Sequence, residues 1–365
     1  MSKHLIVMAG GTGGHVYPGL AVARAMVERG WTVSWMGTPG GMEQRLVDSS
    51  EFPLKSIAFE GIVGRGIGAK VRLPLSLLKA YAEAKRHLVL VKPTAVIGMG
   101  GYPTVPGGLA AWRAGVPLLI HQGDAVAGLA NRLLAKVATT VLTGFTSTFV
   151  DLGSRRVVSG NPIRKEFADI APATSRFAAR QGRLKVLIMG GSRGAEALNN
   201  KLPEAFAAID PAKRPHIIHQ AGSGAAAATD ARYKALGIQA DVREFVDQSW
   251  SALAEADLFI GRSGASIVSE LALLGVPSIL VPYPHHADQQ QLHNARTLSE
   301  VGAARIVEQR DLSATGLAAL IDSIDRPTLQ SMSAAATRVA QPNATQRICD
   351  AIERATTNLS SSSRP

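Results

Sequence analysis

Apolar residues in this chain come in short runs, and helix-spaced apolar positions follow each run after a glycine-rich turn. Leu5–Met8 reads as a strand that meets Ala9-Gly10-Gly11-Thr12-Gly13-Gly14-His15. Leu20, Ala23 and Val27 then recur at helical spacing as far as Gly30, and Thr32–Met36 reads as the next strand. This strand–helix–strand opening is the start of a doubly wound sheet. Strands are expected at Ala95–Met99, Val116–Ile120, Thr139–Leu142 and Arg156–Ser159. Glu60–Lys70, glycine-rich and basic, reads as a mobile loop. A helix is expected over Leu73–Leu90, with Pro74 in its first turn, where a missing N–H costs little.

The pattern restarts at strand Lys185–Met189, followed by the turn Gly190-Gly191-Ser192-Arg193-Gly194-Ala195 and a helix at Leu198. Strands follow at His216–Gln220, Val242–Val246, Asp257–Ile260, Pro277–Val281 and Ala304–Val307. Ile267, Leu271 and Leu274 place a helix from about Ser266. Pro342–Thr357 reads as a helix and Ser360–Pro365 as disordered. The expected fold is α/β: two tandem Rossmann-like, doubly wound parallel-sheet domains facing across a cleft. Their expected extents are 1–160 and 161–341, with 342–365 as a closing helix and tail, and Gly160-Asn161-Pro162-Ile163-Arg164 as the hinge.

A length of 365 residues fits two cores better than one. With 46% hydrophobic and 18% charged residues the chain is globular. A net charge of +11 favours anionic partners: nucleic acid, an acidic membrane surface or phosphorylated substrates. No aromatic ribonucleoprotein motif, zinc-finger spacing or basic recognition helix occurs, so nucleic acid is not expected. The lone cysteine, Cys349, excludes an internal disulfide and fits a reducing compartment. The chain enters a strand with no leader pattern, and no run approaches the roughly 18 consecutive apolar residues of a membrane span. A cytosolic-side protein is expected.

Candidate chemistry gathers at the carboxyl ends of the strands, the ligand edge of such sheets. The first glycine loop does not fit a dinucleotide site. Its third glycine would fall at Val16, and Trp35-Met36-Gly37 carries no ribose-binding acid. No Gly-Lys-Ser/Thr follows any glycine loop, which excludes a P-loop. What remains is a backbone open to a ligand at a helix N-terminus, with His15 as a base or a phosphate donor. Tyr102, the His121-Gln122-Gly123-Asp124 run and Asn131 share that edge.

In the second half, Gly261-Arg262-Ser263-Gly264 leads into a helix N-terminus, a place for an anion. Glu270 can accept two hydroxyl hydrogen bonds from a sugar ring. Asp288-Gln289-Gln290-Gln291 and Asn294 crowd donors and acceptors into a short loop suited to an uncharged, polyhydroxylated ligand. The reading is a nucleotide-sugar pocket. No Asp-x-Asp pair occurs, and His285 and His286 would point apart on an extended segment, so neither metal nor cofactor is expected. Leu75, Leu77, Leu78 and Tyr81, flanked by Lys70, Arg72, Lys79, Lys85 and Arg86, form either a face for an anionic bilayer or a core helix with a solvated charged side.

The order of these elements closely resembles the MurG family of peripheral glycosyltransferases. It is carried by AGGTGGHVYPGLAVA (Ala9–Ala23), MGGYPTVPGG (Met99–Gly108), HQGDAVAGLANRLLAK (His121–Lys136), GNPIR (Gly160–Arg164), GGSRGA (Gly190–Ala195), RSGASIVSE (Arg262–Glu270) and VPYPHHADQQQLHNA (Val281–Ala295). The resemblance implies the GT-B fold and inverting transfer of N-acetylglucosamine from UDP-N-acetylglucosamine to undecaprenyl-linked lipid I. It further implies work at the cytoplasmic face of the inner membrane, with other cell-wall synthesis proteins as further partners.

On that resemblance Glu270 binds the uridine ribose, Val246 offers its backbone to the uracil, and Ser192, Arg164 and Arg262 hold the donor diphosphate. Gln290 and Gln291 grip the sugar, with a backbone contact from Ala265. Thr12, Gly13 and Gly14 cradle the acceptor diphosphate, with Tyr102 and Asn131 on the acceptor side. Leu75, Leu78, Tyr81 and Trp112 rest on the membrane. The base is His15 or Asp124. Three places depart from the family pattern. His121-Gln122-Gly123-Asp124 stands for His-Glu-Gln-Asn, Arg193 for a glutamine, and Thr104-Val105 for Ser-Gly. A UDP-N-acetylglucosamine 2-epimerase-type isomerase and a non-catalytic nucleotide-sugar-binding module are the other readings.

Overall fold

The computed structural model describes residues 3–59, 67–167, 169–191, 194–286 and 288–362, the side chains of 67–72 and 358–362 excepted. The chain divides into two compact units, Met1–Arg164 with Asn343–Pro365, and Lys165–Pro342. The first holds β1 (His4–Ala9), β2 (Thr32–Gly37), β3 (Leu54–Ser56), β4 (Ala95–Gly100), β5 (Leu118–Gln122), β6 (Thr140–Thr143) and β7 (Arg156–Val158). They form a parallel sheet in the order β3-β2-β1-β4-β5-β6-β7. The order reverses between β1 and β4, the topological switch point at which such sheets bind ligands. Leu5 and Val7 of β1 pack with Trp35 on one face, and Ile6 and Met8 pack with Met36 on the other. Burial on both faces is why the central strands read as unbroken apolar runs.

The second unit repeats the plan with β8 (Lys185–Met189), β9 (His216–Gln220), β10 (Asp241–Arg243), β11 (Leu258–Gly261), β12 (Ser278–Leu280) and β13 (Ala304–Ile306). Their order is β10-β9-β8-β11-β12-β13, all parallel, with the reversal between β8 and β11. Its core holds Val186, Ile188, Leu198, Phe206, Ile260 and Ile279.

Several elements differ from the sequence reading. The closing helix, Ala344–Ser362, belongs to the first unit and runs through serines read as disordered. Ile348, Cys349, Ile352 and Ala355 share a core cluster with Leu20 and Trp35, and Arg29 reaches Asp350 at 2.7 Å and Glu353 at 3.0 Å. The helix expected from Leu73 starts at Ile67, which moves Pro74 into its interior; residues 60–66 of the expected loop lie outside the described residues. Strand β10 stops at Arg243 rather than Val246. The Glu244 carbonyl accepts instead from the Gln220 side chain at 2.9 Å and the Gly222 N–H at 3.2 Å, which turns the chain out of the sheet.

Candidate active site

The first unit's site is built where β1, β4 and β5 end. After β1 the chain turns through Gly10 and Gly11 into the helix Gly13–Glu28, whose first N–H groups lack partners within the helix. Thr12 occupies the N-cap with extended backbone, and Gly13 and Gly14 open the first turn. His15 is half-buried, its ring against Gly100. A Cβ on Gly100 would stand 2.5 Å from the ring, so a side chain there would displace the imidazole. His15 Nδ1 lies 3.1 Å from the Gly10 carbonyl and 3.3 Å from Thr12 Oγ1. A carbonyl only accepts, so Nδ1 donates to it and Nε2 is left as the proton acceptor.

The end of β5 behaves differently. His121 is buried with Nε2 3.0 Å from the Gly160 carbonyl, and burial pushes its pKa down to about 4, the nearby His15 acting in the same direction. Gln122 is buried and works from both ends of its amide. It donates to the carbonyls of Val126 at 3.0 Å and Asp124 at 3.3 Å, and accepts from the Gly128 N–H at 3.3 Å and Asn131 Nδ2 at 2.8 Å. A glutamate could accept from the latter pair but could not donate to the former. Asn131 also donates to the His121 carbonyl at 3.0 Å and is buried, so its amide nitrogen supports the loop instead of facing the open edge. Asp124 sits half-buried in that supported loop, and Tyr102 is exposed beside the glycine turn after β4. Thr104 is buried and donates from Oγ1 to the Gly101 carbonyl at 2.6 Å, fixing that turn.

The sequence reading missed Glu43, on the one-turn helix Glu43–Leu46 that follows β2. Its side chain is wholly buried and accepts from the Thr38 N–H at 2.6 Å, Thr38 Oγ1 at 2.8 Å and the Gly11 N–H at 3.2 Å. The available signal was the glycine cluster Gly37, Gly40 and Gly41 around one acid at a strand end.

In the second unit the helix Ala265–Leu274 begins at Ala265, with Gly264 extended at its N-cap and Glu270 half-buried in its second turn. Gln290 and Gln291, expected in a loop, instead open the helix Gln290–Ser299. Gln291 Oε1 accepts from the N–H groups of Tyr283 at 3.0 Å and Ser263 at 3.3 Å, and Ser263 Oγ donates to the Gln291 carbonyl at 2.7 Å. Gln290 Nε2 donates to Asp288 at 2.8 Å, and buried Asn294 donates to the Ser263 carbonyl at 3.1 Å. This ties the start of the Gln290 helix to the turn after β11. Arg262 spends its guanidinium on the carbonyls of Val281 at 3.0 Å and Pro282 at 3.2 Å and on Gln309 Oε1 at 2.7 Å, and burial lowers its pKa. Those contacts make it a clamp on the exit from β12.

Val246, half-buried, lies in the connection after β10. Arg164 closes the first unit, its guanidinium 5.6 Å from the Tyr17 ring centroid. Ser192 and Arg193 lie outside the described residues. Gln220 donates to the Gly191 carbonyl at 3.0 Å. A buried network surrounds His219, the neighbour of Gln220 on β9. Asn199 donates to the Ala221 carbonyl at 2.9 Å and pairs with His219 Nε2 at 3.0 Å, and His219 Nδ1 pairs with Tyr233 at 3.0 Å. A Cβ on Gly194 would meet that same Ala221 carbonyl at 2.3 Å, and its φ of +73° already excludes most side chains.

Of the apolar residues assigned to a membrane face, Leu75 is 77% exposed, Leu78 68% and Trp112 45%. Tyr81 is half-buried and packs against the core, because its position on the helix turns it inward. Among the described residues no helix is long and apolar enough to cross a membrane.

Two doubly wound parallel sheets, each with a glycine turn and a helix N-terminus at its switch-point edge, make up the GT-B fold. The chain belongs to glycosyltransferase family 28, whose N-terminal domain matches residues 5–143 and whose C-terminal domain matches residues 185–352. It is 46% identical over 346 residues to the UDP-N-acetylglucosamine--N-acetylmuramyl-(pentapeptide) pyrophosphoryl-undecaprenol N-acetylglucosamine transferase of Polynucleobacter asymbioticus, covering 95% of this chain and 96% of that one. The protein of the same name from an Azoarcus species is 46% identical, covering 96% and 98%. The crystal structure of Acinetobacter baumannii MurG superposes with a TM-score of 0.85 at 38% identity, over 96% of this chain and 99% of that one. A structure described as a UDP-N-acetylglucosamine 2-epimerase from Listeria monocytogenes shares the fold alone, at 14% identity and a TM-score of 0.66 over 100% and 99% of the two chains.

Proposed function

We propose that this protein transfers N-acetylglucosamine from UDP-N-acetylglucosamine to the C4 hydroxyl of the N-acetylmuramyl group of lipid I, forming lipid II for peptidoglycan. The observation that carries the reading is 46% identity, over 95–96% of this chain, to proteins named as the N-acetylglucosamine transferase that acts on N-acetylmuramyl-(pentapeptide) pyrophosphoryl-undecaprenol. The isomerase alternative has only a shared fold behind it.

The reaction is a single displacement with inversion. The acceptor oxygen bonds to the anomeric carbon, the bond from that carbon to the diphosphate oxygen breaks, and UDP leaves with the electron pair. The hydroxyl proton goes to His15 Nε2, the ring nitrogen left open by the Gly10 contact. Asp124, in the loop organised by Gln122, is the second candidate base. Helix N-termini, Ser192 and Arg164 offset the charge that grows on the leaving diphosphate. Glu270 holds the ribose hydroxyls, Val246 the uracil, and Gln290, with Gln291 and Ala265, the sugar. Thr12, Gly13 and Gly14 cradle the acceptor diphosphate beside Tyr102. The reaction as written calls on no cofactor. Leu75, Leu78 and Trp112, with exposed Lys79, Lys85, Arg86 and Arg113 nearby, set the first unit on an anionic bilayer at its cytoplasmic side.

The test is incubation of labelled UDP-N-acetylglucosamine with and without a short-chain lipid I analogue, using wild type, His15→Ala and Asp124→Ala. Label should move to lipid only when the acceptor is present, and one of the two variants should lose turnover. A new sugar formed from the donor alone would replace the transferase by an isomerase. No product in either mixture from folded protein would leave the binding-module reading.

A further inference from the structure

Glu43 is a buried carboxyl group with no part in the chemistry above, and its surroundings are unusual. Cβ atoms on Gly10, Gly37 or Gly41 would come within 2.6, 2.6 and 2.5 Å of its side chain, so three glycines clear the space it fills. All three of its hydrogen bonds come from donors, two from Thr38 and one from the Gly11 N–H. Among the described residues it forms no ion pair. A buried carboxylate of this kind is expensive unless its hydrogen bonds are kept.

The Gly11 N–H and the Gly10 C=O belong to one peptide group. The N–H points at Glu43 and the C=O points at His15 Nδ1, 3.1 Å away. In a trans peptide the two point in opposite directions, so one contact fixes the other. Glycine on both sides, with Gly11 at φ +83°, leaves this peptide free to turn over unless something holds it. Turned over, it would aim an N–H at Nδ1. The ring would then accept at Nδ1 and carry its proton on Nε2, where no proton could be taken up.

We propose that Glu43 is a positioning residue: it locks the Gly10–Gly11 peptide in the orientation that keeps His15 as the Nδ1–H tautomer, with Nε2 free to take the acceptor's proton. The proposal rests on His15 as the base. The carboxylate does not touch substrate and acts through one peptide group. Gly101 reinforces it from the other side, since a Cβ there would meet the Gly10 carbonyl at 2.3 Å.

The experiment compares wild type, Glu43→Gln and His15→Ala by nitrogen-15 NMR of histidine-labelled protein and by steady-state kinetics. His15→Ala assigns the His15 signals. Wild type should show Nε2 unprotonated. In Glu43→Gln, where an NH₂ replaces one accepting oxygen, the Nε2–H form should appear. Its kcat should fall about tenfold or more, up to the 10²–10⁴-fold that a positioned base contributes, while KM for UDP-N-acetylglucosamine stays unchanged. If Glu43→Gln does not fold, Glu43→Asp tests the same point, because one methylene less cannot span both Thr38 and Gly11. A folded variant with the wild-type tautomer and full kcat would overturn the proposal. Full turnover in His15→Ala together with a changed tautomer in Glu43→Gln would refute His15 as the base and leave the Glu43 lock standing.

Discussion

Acid should loosen the second unit through one histidine. His219 is wholly buried, with Tyr233 on Nδ1 and Asn199 on Nε2, both at 3.0 Å and both neutral. Burial pushes its pKa from the ordinary 6.5 down to about 4. Between those values the unfolded chain takes up a proton that the folded chain refuses. Stability therefore falls as pH drops through that window, and the loss is complete below the folded value. The difference amounts to about 2 kcal/mol at pH 5 and about 3 kcal/mol in full. His121, also pushed down to about 4, should act likewise in the first unit. The assay is urea unfolding of wild type and His219→Gln at pH 7.5 and 5.0, with proton NMR titration of the native histidines. Glutamine can still donate and accept but does not titrate. The His219 signal should stay in its neutral position down to pH 5, and His219→Gln should lose about 2 kcal/mol less than wild type on acidification. A native pKa at or above 6.5, or equal pH dependence in the two proteins, would refute the reasoning.

Other substitutions separate the roles assigned above. Glu270→Ala should raise KM for UDP-N-acetylglucosamine about 10- to 100-fold with kcat little changed, as expected for lost hydrogen bonds to a charged group; steady-state kinetics decides it. Leu75→Glu combined with Leu78→Glu should abolish co-sedimentation with anionic vesicles yet keep turnover of a short-chain soluble acceptor. Gln122→Glu removes the donors to the Asp124 and Val126 carbonyls and should cost about 1 kcal/mol in unfolding free energy, with faster amide exchange across residues 123–128.

What was legible in the sequence followed from burial on two faces. Strand Lys185–Met189 matches its observed limits because a central parallel strand is an apolar run bounded by turn residues. The glycine turns were legible for a similar reason, since a sharp turn at a strand tip leaves little choice of residue. One edge strand was not: β3 is Leu54-Lys55-Ser56, with no pattern to detect. Side-chain direction was not legible either. Asn131 and Arg262 are polar residues beside glycine turns, and sequence alone cannot tell a ligand contact from a brace. Here Asn131 binds the His121 carbonyl and Arg262 the Val281 carbonyl. Glu43 was hidden because its partner Gly11 is 32 residues away in the chain. Only the parallel pairing of β1 with β2 brings their ends together.

The most direct measurement is the structure of the product. Lipid I analogue and UDP-N-acetylglucosamine should be incubated with the protein, and the glycolipid isolated for mass spectrometry and NMR. The account predicts an added N-acetylglucosamine joined β-(1→4) to the N-acetylmuramyl residue, formed only when both substrates are present. An α linkage, attachment at another hydroxyl, or no glycolipid product from folded protein would contradict it.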